Sequence, residues 1–149
     1  MTTGEWGALI LALHGVVTIL MVGVIWAVQI VHYPLMAFAD RARYPAFQSA
    51  HQRRIGWVVI PLMLIEVGTA VALAIAPWSP VPQPLAWAGL VLLAVIWAST
   101  FFLQVPLHRR LQGGFDEFTH RLLVKSNWVR AAAWTVRGLL VCVMLYFLL

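Results

Sequence analysis

Four long apolar segments alternate with short polar connections along the chain. The segments cover about residues 7–38, 55–76, 84–107 and 128–149. Each is long enough to cross the hydrocarbon core of a bilayer, which takes about 20 residues of helix. Because short connections make consecutive helices neighbours, we predict one domain, 1–149, folded as an antiparallel four-helix transmembrane bundle. The first segment is too long for a cleaved secretion signal and has no basic residue before it.

Two of the connections contain apolar residues at helical spacing between charged ones. After the pair Gly113 and Gly114, the apolar positions are Phe115, Phe118, Leu122 and Leu123. This spacing predicts a short amphipathic helix that lies at the cytoplasmic membrane surface. We expect the segment 39–54, which has Pro45 near its start, to form a similar helix. The predicted fold is therefore an all-α membrane protein with short interfacial helices in its cytoplasmic connections.

Composition and charge support a membrane protein and give its orientation. Of the residues, 62% are hydrophobic and 10% are charged, whereas about 25% are charged in a typical soluble domain. The net charge is +5, but the basic residues lie in two connections and not in a stripe with aromatic residues, which argues against nucleic-acid binding. By the positive-inside rule, both basic connections are predicted to be cytoplasmic. We therefore predict a multi-pass protein of the inner (cytoplasmic) membrane with both termini outside.

Each apolar segment also carries a stripe of polar or indole-bearing residues. At roughly 100° per residue, positions three or four apart share a helix face. The four stripes are His14, Thr18, Gln29 and His32; Glu66 and Thr69, joined by His51; Trp97, Thr100, Gln104 and His108; and Asn127, Arg130, Trp134 and Arg137. Polar groups within lipid normally face the bundle interior, so we predict a polar interior that holds water or a ligand. The alternative is that the stripes only hydrogen-bond the helices together.

Two ionisable residues of opposite charge are predicted to meet at mid-membrane. Glu66 and Arg137 each lie about 16 Å along their spans from the cytoplasmic side, at ~1.5 Å per residue. An isolated ion at this depth costs about 3 kcal/mol, so we predict a structural ion pair between them. Arg130 is shallower, and Asn127 and Gln104 at similar depth indicate a second polar site there.

The chain contains five histidines, and imidazole is a common ligand of zinc, copper and iron. No short metal-binding motif is present, and we favour no cofactor. If haem or a transition metal is bound, the ligands that can gather at the cytoplasmic mouth are His32, His51, His108 and His120. His14 is predicted to be a separate, hydrogen-bonded core histidine.

Two motifs in the second half of the chain resemble those of a known family. They are QVPLHRRL, at 104–111, and NWVRAAAWTVRG, at 127–138. Together they resemble the anthrone-oxygenase-like family of small four-helix membrane proteins, which carry a Val-Pro-Leu-Asn type and a Trp-Asn-x-x-Arg type motif. The matching positions are Val105, Pro106, Leu107, Asn127 and Arg130, while His108 stands where the family usually has asparagine. The resemblance implies oxygenation of aromatic anthrones without a metal or flavin.

These observations together predict an oxidoreductase-like membrane protein, a cofactor-independent oxygenase or another oxidoreductase. A lipophilic aromatic or quinone-like molecule would enter the cytoplasmic half of the bundle from the lipid. The side chains expected to flank its ring are Trp26, Trp97 and Trp134, and those expected to hydrogen-bond its oxygens are Gln29, Gln104, Asn127 and Arg130. Arg130 would stabilise negative charge on the ligand, and His32 or His108 would transfer the proton.

Two alternatives fit the same residues. The first is a non-enzymatic haem- or metal-binding membrane protein that uses the clustered histidines. The second is an accessory subunit of a larger membrane complex, or a homo-oligomer, in which the polar stripes satisfy one another. The lipid bilayer is a partner in every case.

Overall fold

Four long helices form the structure, a computed structural model that describes residues 2–146. They are α1 (Thr3–Phe38), α2 (Tyr44–Ile75), α3 (Gln83–Gln112) and α4 (Glu117–Tyr146). Residues 2–146 contain no strand, and all four helices are long and apolar enough to cross a membrane. The predicted all-α four-helix membrane bundle is confirmed. The last three residues of the predicted fourth span, 147–149, lie outside the described residues.

The helices pack as a closed ring in which α1 and α3 each contact both α2 and α4. Helices α2 and α4 therefore face each other across the core. Apolar core clusters follow one another along the bundle, around Leu11 and Leu73 at one end, around Met21 and Ile96 in the middle, and around Leu123 at the other. The last end carries the connections 39–43 and 113–116, with Arg41 and Arg43 in the first and Arg109 and Arg110 just before the second, and we call it the basic end.

Helices α1 and α3 are each interrupted by a π-helical turn, at Val28–His32 and Thr100–Gln104. In each case a proline follows two residues later, Pro34 or Pro106. A proline has no amide hydrogen to donate and its ring crowds the carbonyl four residues before it. The preceding turn widens instead, with hydrogen bonds that skip one extra residue. Side chains beyond each π turn are thereby rotated relative to a regular α-helix.

The structure differs from the predicted interfacial helices. The segment with Phe115, Phe118, Leu122 and Leu123 belongs mostly to α4, which begins at Glu117, and most of segment 39–54 belongs to α2. The physical reason is that no proline separates either segment from its span, and the one glycine at a junction, Gly56, lies inside α2 without ending it. Pro45 lies in the first turn of α2, where a missing amide hydrogen breaks no bond. The two connections therefore shrink to short turns.

Candidate functional site

The predicted ion pair between Glu66 and Arg137 is present at the centre of the bundle. Arg137 Nε donates to Glu66 Oε1 over 3.0 Å, and the two side chains are 1% and 0% exposed. The carboxylate accepts two further hydrogen bonds, from Thr18 Oγ1 to Oε1 (3.0 Å) and from Trp134 Nε1 to Oε2 (3.1 Å). Its charge and both of its oxygens are therefore satisfied within the protein.

The guanidinium group of Arg137 is equally well bound on its other side. Nη1 donates to the backbone carbonyl of Gly89, and Nη2 lies 3.4 Å from His14 Nε2. Because arginine can only donate, His14 Nε2 accepts, so Nδ1 carries the proton and donates to Thr69 Oγ1 over 2.8 Å. His14 is a buried, hydrogen-bonded histidine as expected, although it belongs to the ion-pair network and is not separate from it.

Arg130, the second buried arginine, has different surroundings. It is 6% exposed, and within residues 2–146 no carboxylate pairs with it. Its Nη1 donates to Asn127 Oδ1 (3.1 Å), its Nε has no hydrogen-bond partner, and its guanidinium carbon lies 5.1 Å from the centroid of the Trp134 ring. The positive charge of Arg130 is therefore hydrogen-bonded but not neutralised.

Asn127 and Gln29 hold Arg130 from behind. Asn127 Nδ2 donates to Gln29 Oε1 over 2.8 Å, and Gln29 Nε2 donates to the backbone carbonyl of Val124 over 3.2 Å. Neither amide lies in the wall of the interior cavity that adjoins Arg130. Both predicted substrate-binding residues thus fix the orientation of the arginine from α1 and α4.

An interior cavity of about 130 Å³ adjoins Arg130 in the half of the bundle nearer the basic end. All four helices contribute to its wall. Its polar wall residues include Tyr33, His51, Gln104, His108 and Arg130, and the rest of the wall is mostly apolar. The cavity is thus an apolar space with polar groups that converge on one side, which is the usual composition of a small-molecule site.

The Tyr33 hydroxyl lies on the polar side of this cavity and is held by His108. His108 Nε2 is 2.9 Å from the hydroxyl oxygen, and Gln48 Nε2 donates to His108 Nδ1 over 2.7 Å. The same amide nitrogen also donates to the backbone carbonyl of His108, which fixes its orientation. Since Nδ1 accepts, Nε2 carries the proton and donates to Tyr33. Arg130 also interacts with this hydroxyl, so the hydroxyl hydrogen of Tyr33 is available to a ligand.

Three imidazole rings form a row that leads to Tyr33. The His32 and His51 ring centroids are 4.2 Å apart and stacked, and those of His51 and His108 are 5.5 Å apart. His120, the fourth candidate ligand, is held elsewhere, with Nε2 2.8 Å from the carbonyl oxygen of Tyr33. Within residues 2–146, no group of three or more histidine, cysteine or acidic side chains is arranged to hold a metal ion.

A larger groove of about 680 Å³ runs along the outer surface between α1 and α2. It shares four wall residues with the interior cavity, namely Val24, Val28, His51 and Ile55. His32 lines the groove and not the cavity. The groove therefore adjoins the polar wall of the cavity at His51.

The remaining predicted site residues are distributed between the cavity and its surroundings. Gln104 is in the cavity wall, where Nε2 donates to Ser126 Oγ (2.9 Å) and Oε1 is unpaired. Trp134 lies directly against Arg130, and Trp97 packs on a neighbouring ring outside the wall. Trp26 is 38% exposed and donates to Thr135 Oγ1 on the outer surface of the bundle. The structure therefore does not place Trp26 or Trp97 against the cavity.

Tyr33 and Gln48 were not predicted as site residues, and His51 was predicted only as a member of the second polar stripe and a possible metal ligand. Gln48 and His51 are three residues apart on one face of α2, a spacing that could have indicated them. Tyr33 follows the π turn of α1, whose widening brings it to the buried face in place of His32. No sequence feature other than the following Pro34 points to that widening.

Comparison with protein-family models, curated proteins and solved structures finds no match for this chain. The resemblance to anthrone-oxygenase-like proteins therefore stays a prediction.

Proposed function

We propose that the protein is an integral membrane oxidoreductase-like protein that binds a lipophilic aromatic or quinone-like molecule in the cavity beside Arg130. The observation that carries this proposal is the contrast between the two buried arginines. Arg137 has a carboxylate partner, and Arg130 has none within residues 2–146. An unpaired buried charge is strongly unfavourable, and a ligand oxygen with negative charge would supply the missing partner.

The polar wall offers donors suited to such an oxygen. The unpartnered Nε of Arg130 and the hydroxyl of Tyr33 belong to groups that interact with each other. A carbonyl or phenolate oxygen placed between them would accept hydrogen bonds from both. Donors that are already oriented stabilise charge as it develops on that oxygen. The apolar part of the wall would contact the carbon atoms of the ring.

The histidines provide a route for the proton in this proposal. When the bound ring, in a phenol or anthrone form, loses a proton, the charge stays on its oxygen beside Arg130 and the proton passes to His51, because both ring nitrogens of His108 are already hydrogen-bonded. Imidazole exchanges protons near neutral pH and is the commonest general acid or base in enzymes. The electrons would then pass to an oxidant, which the family resemblance implies to be dioxygen.

We also propose that the protein lies in the inner membrane with its basic end in the cytoplasm. The support is the concentration of arginines in and beside the connections 39–43 and 113–116. Both termini would then be outside. Reporter fusions to the C-terminus test this orientation. If a reporter of the kind that works only in the cytoplasm is active when fused there, the orientation is wrong.

Ligand binding by detergent-purified protein tests the proposed site. We would titrate a short benzoquinone, a naphthoquinone and an anthrone while following the quenching of tryptophan fluorescence. Hydrogen bonds to a charged group contribute about 1.5–3 kcal/mol, so Arg130→Gln should weaken binding by about 10- to 100-fold. Arg109→Gln, at the exposed basic end, is the matched control and should bind like the wild type. Binding that is unchanged in Arg130→Gln, or absent from the wild type, would refute the proposal.

A further inference from the structure

The interior cavity is the size of one aromatic ring. Its volume is about 130 Å³, and a dry protein cavity of about 150 Å³ is known to bind benzene. A molecule with three fused rings, such as an anthrone, would exceed this space. Only a single ring can therefore be enclosed beside Arg130 and Tyr33.

The groove between α1 and α2 has the opposite character, since it is long, open and mostly apolar. Along α2 its wall extends from Phe47 to Val58, a distance of about 16 Å at 1.5 Å per residue. Only His51 and Ile55 on α2 and Val24 and Val28 on α1 belong to both walls. A chain attached to the enclosed ring would pass these side chains and continue in the groove.

We infer, on the basis of the proposed function, that the ligand is a single oxygen-bearing ring with one linear apolar tail, as in an alkyl or isoprenoid quinone or phenol. The ring occupies the cavity, where its oxygen faces Arg130. The tail lies between α1 and α2, where the wall offers hydrocarbon contacts. This assignment narrows the aromatic class to molecules whose bulk is in a tail and not in fused rings.

A phospholipid fits these features less well than a tailed ring. Arg54 and His32 in the groove wall would meet a phosphate at the membrane surface. Arg130 lies deeper, behind His51, and would still be unpaired. A small ring carries its oxygen past His51 into the cavity, which explains the deep arginine as well as the apolar groove.

The tail contributes position more than affinity, because surrounding lipid is as apolar as the groove. The test therefore measures where the tail lies. We would incorporate the protein into phosphatidylcholine vesicles with a benzoquinone whose alkyl tail ends in a diazirine, irradiate, and locate the label by mass spectrometry. The label is expected within residues 24–32 and 47–58, and a tail-less benzoquinone should compete with it.

A bulky residue in the groove should block the tail without touching the ring. In Ala50→Phe or Ala27→Phe, both of which change groove residues outside the cavity wall, labelling of the groove should fall about ten-fold. Binding of the tail-less quinone should not change. The matched control is Ala98→Phe, an exposed position on α3, which should be labelled like the wild type. Melting temperatures of all three variants establish that they are folded.

The outcomes separate this inference from the proposed function. If tail-less quinone binds through Arg130 but the label spreads evenly over the lipid-facing surfaces, the inference is wrong and the proposed function stands. The inference is also wrong if a diazirine-labelled phosphatidylcholine occupies the groove and quinone does not displace it. If the tail-less quinone does not bind the wild type at all, the proposed function itself fails.

Discussion

Substitution of Glu66 by glutamine should strongly destabilise the bundle. The change keeps the size of the side chain but removes the charge that faces Arg137, which is 1% exposed. Breaking one side of a buried pair costs about 3–5 kcal/mol. Glu66 also accepts bonds from Thr18 and Trp134, and the new amide group would present hydrogens to at least one of these donors, a cost that the buried-pair figure already includes. We therefore expect a total loss of about 3–5 kcal/mol.

The free energy of unfolding, measured by circular dichroism during titration of detergent-solubilised protein with SDS, would give this loss. Glu117→Gln is the control, because Glu117 is exposed and lies 3.7 Å from Arg121, so that its loss should cost about 1 kcal/mol or less. Glu66→Leu combined with Arg137→Leu should recover most of the stability, since an apolar pair replaces two buried charges. A loss below about 1 kcal/mol for Glu66→Gln, or a double variant as unstable as the two single variants added together, would refute this reasoning.

Other variants test the second arginine, a tight helix contact and a helix start. Arg130→Met should leave the ligand-free melting temperature unchanged or raise it, because it removes a buried charge without a carboxylate partner, and a clear decrease would count against an unneutralised Arg130. In Gly7→Ala the new Cβ would lie 2.9 Å from the Trp78 carbonyl oxygen. The free energy of unfolding should therefore fall by about 1–3 kcal/mol, and an unchanged value would contradict the close contact. Hydrogen bonds from Thr119 lower the pKa of Asp116 below its ordinary value of 3.8. The stabilising effect of the Asp116 carboxylate is therefore complete above pH 3.8 and is lost as the pH falls through the lowered pKa. The difference in melting temperature between Asp116→Ala and wild type should then disappear in strong acid. A difference that persists in strong acid would rule out the carboxylate charge as its cause.

The transmembrane fold and the ion pair could be predicted because each depends on a simple quantity. The length and apolarity of the four segments are enough to define membrane helices, and the alternation of short connections sets their order. Glu66 and Arg137 could be paired from depth alone, because each is about the same number of residues from the start of its span. An up-down bundle then brings α2 and α4 together across the core.

The cavity wall could be predicted only in part because it depends on local changes of helix phase. The prediction of a shared face for Gln29 and His32 assumed a regular α-helix. The π turn at Val28–His32 adds a residue and turns Tyr33 inward, while His32 moves to the groove. Trp26 precedes this turn, on the regular part of α1; it was also expected inside, but it lies on the outer surface. A partner 60 residues away, such as Gln48 for His108, leaves no periodic trace in the sequence.

The ion pair also bears on how the chain enters the membrane during synthesis. Helix α4 is the least apolar of the four spans and carries both buried arginines, yet it is translated last. By then the carboxylate of Glu66 and the carbonyl of Gly89, which bind Arg137 in the finished bundle, have already been inserted. The order of translation thus gives the most difficult span a prepared environment, and a rearranged chain that began with α4 would have to insert Arg137 before its partners existed.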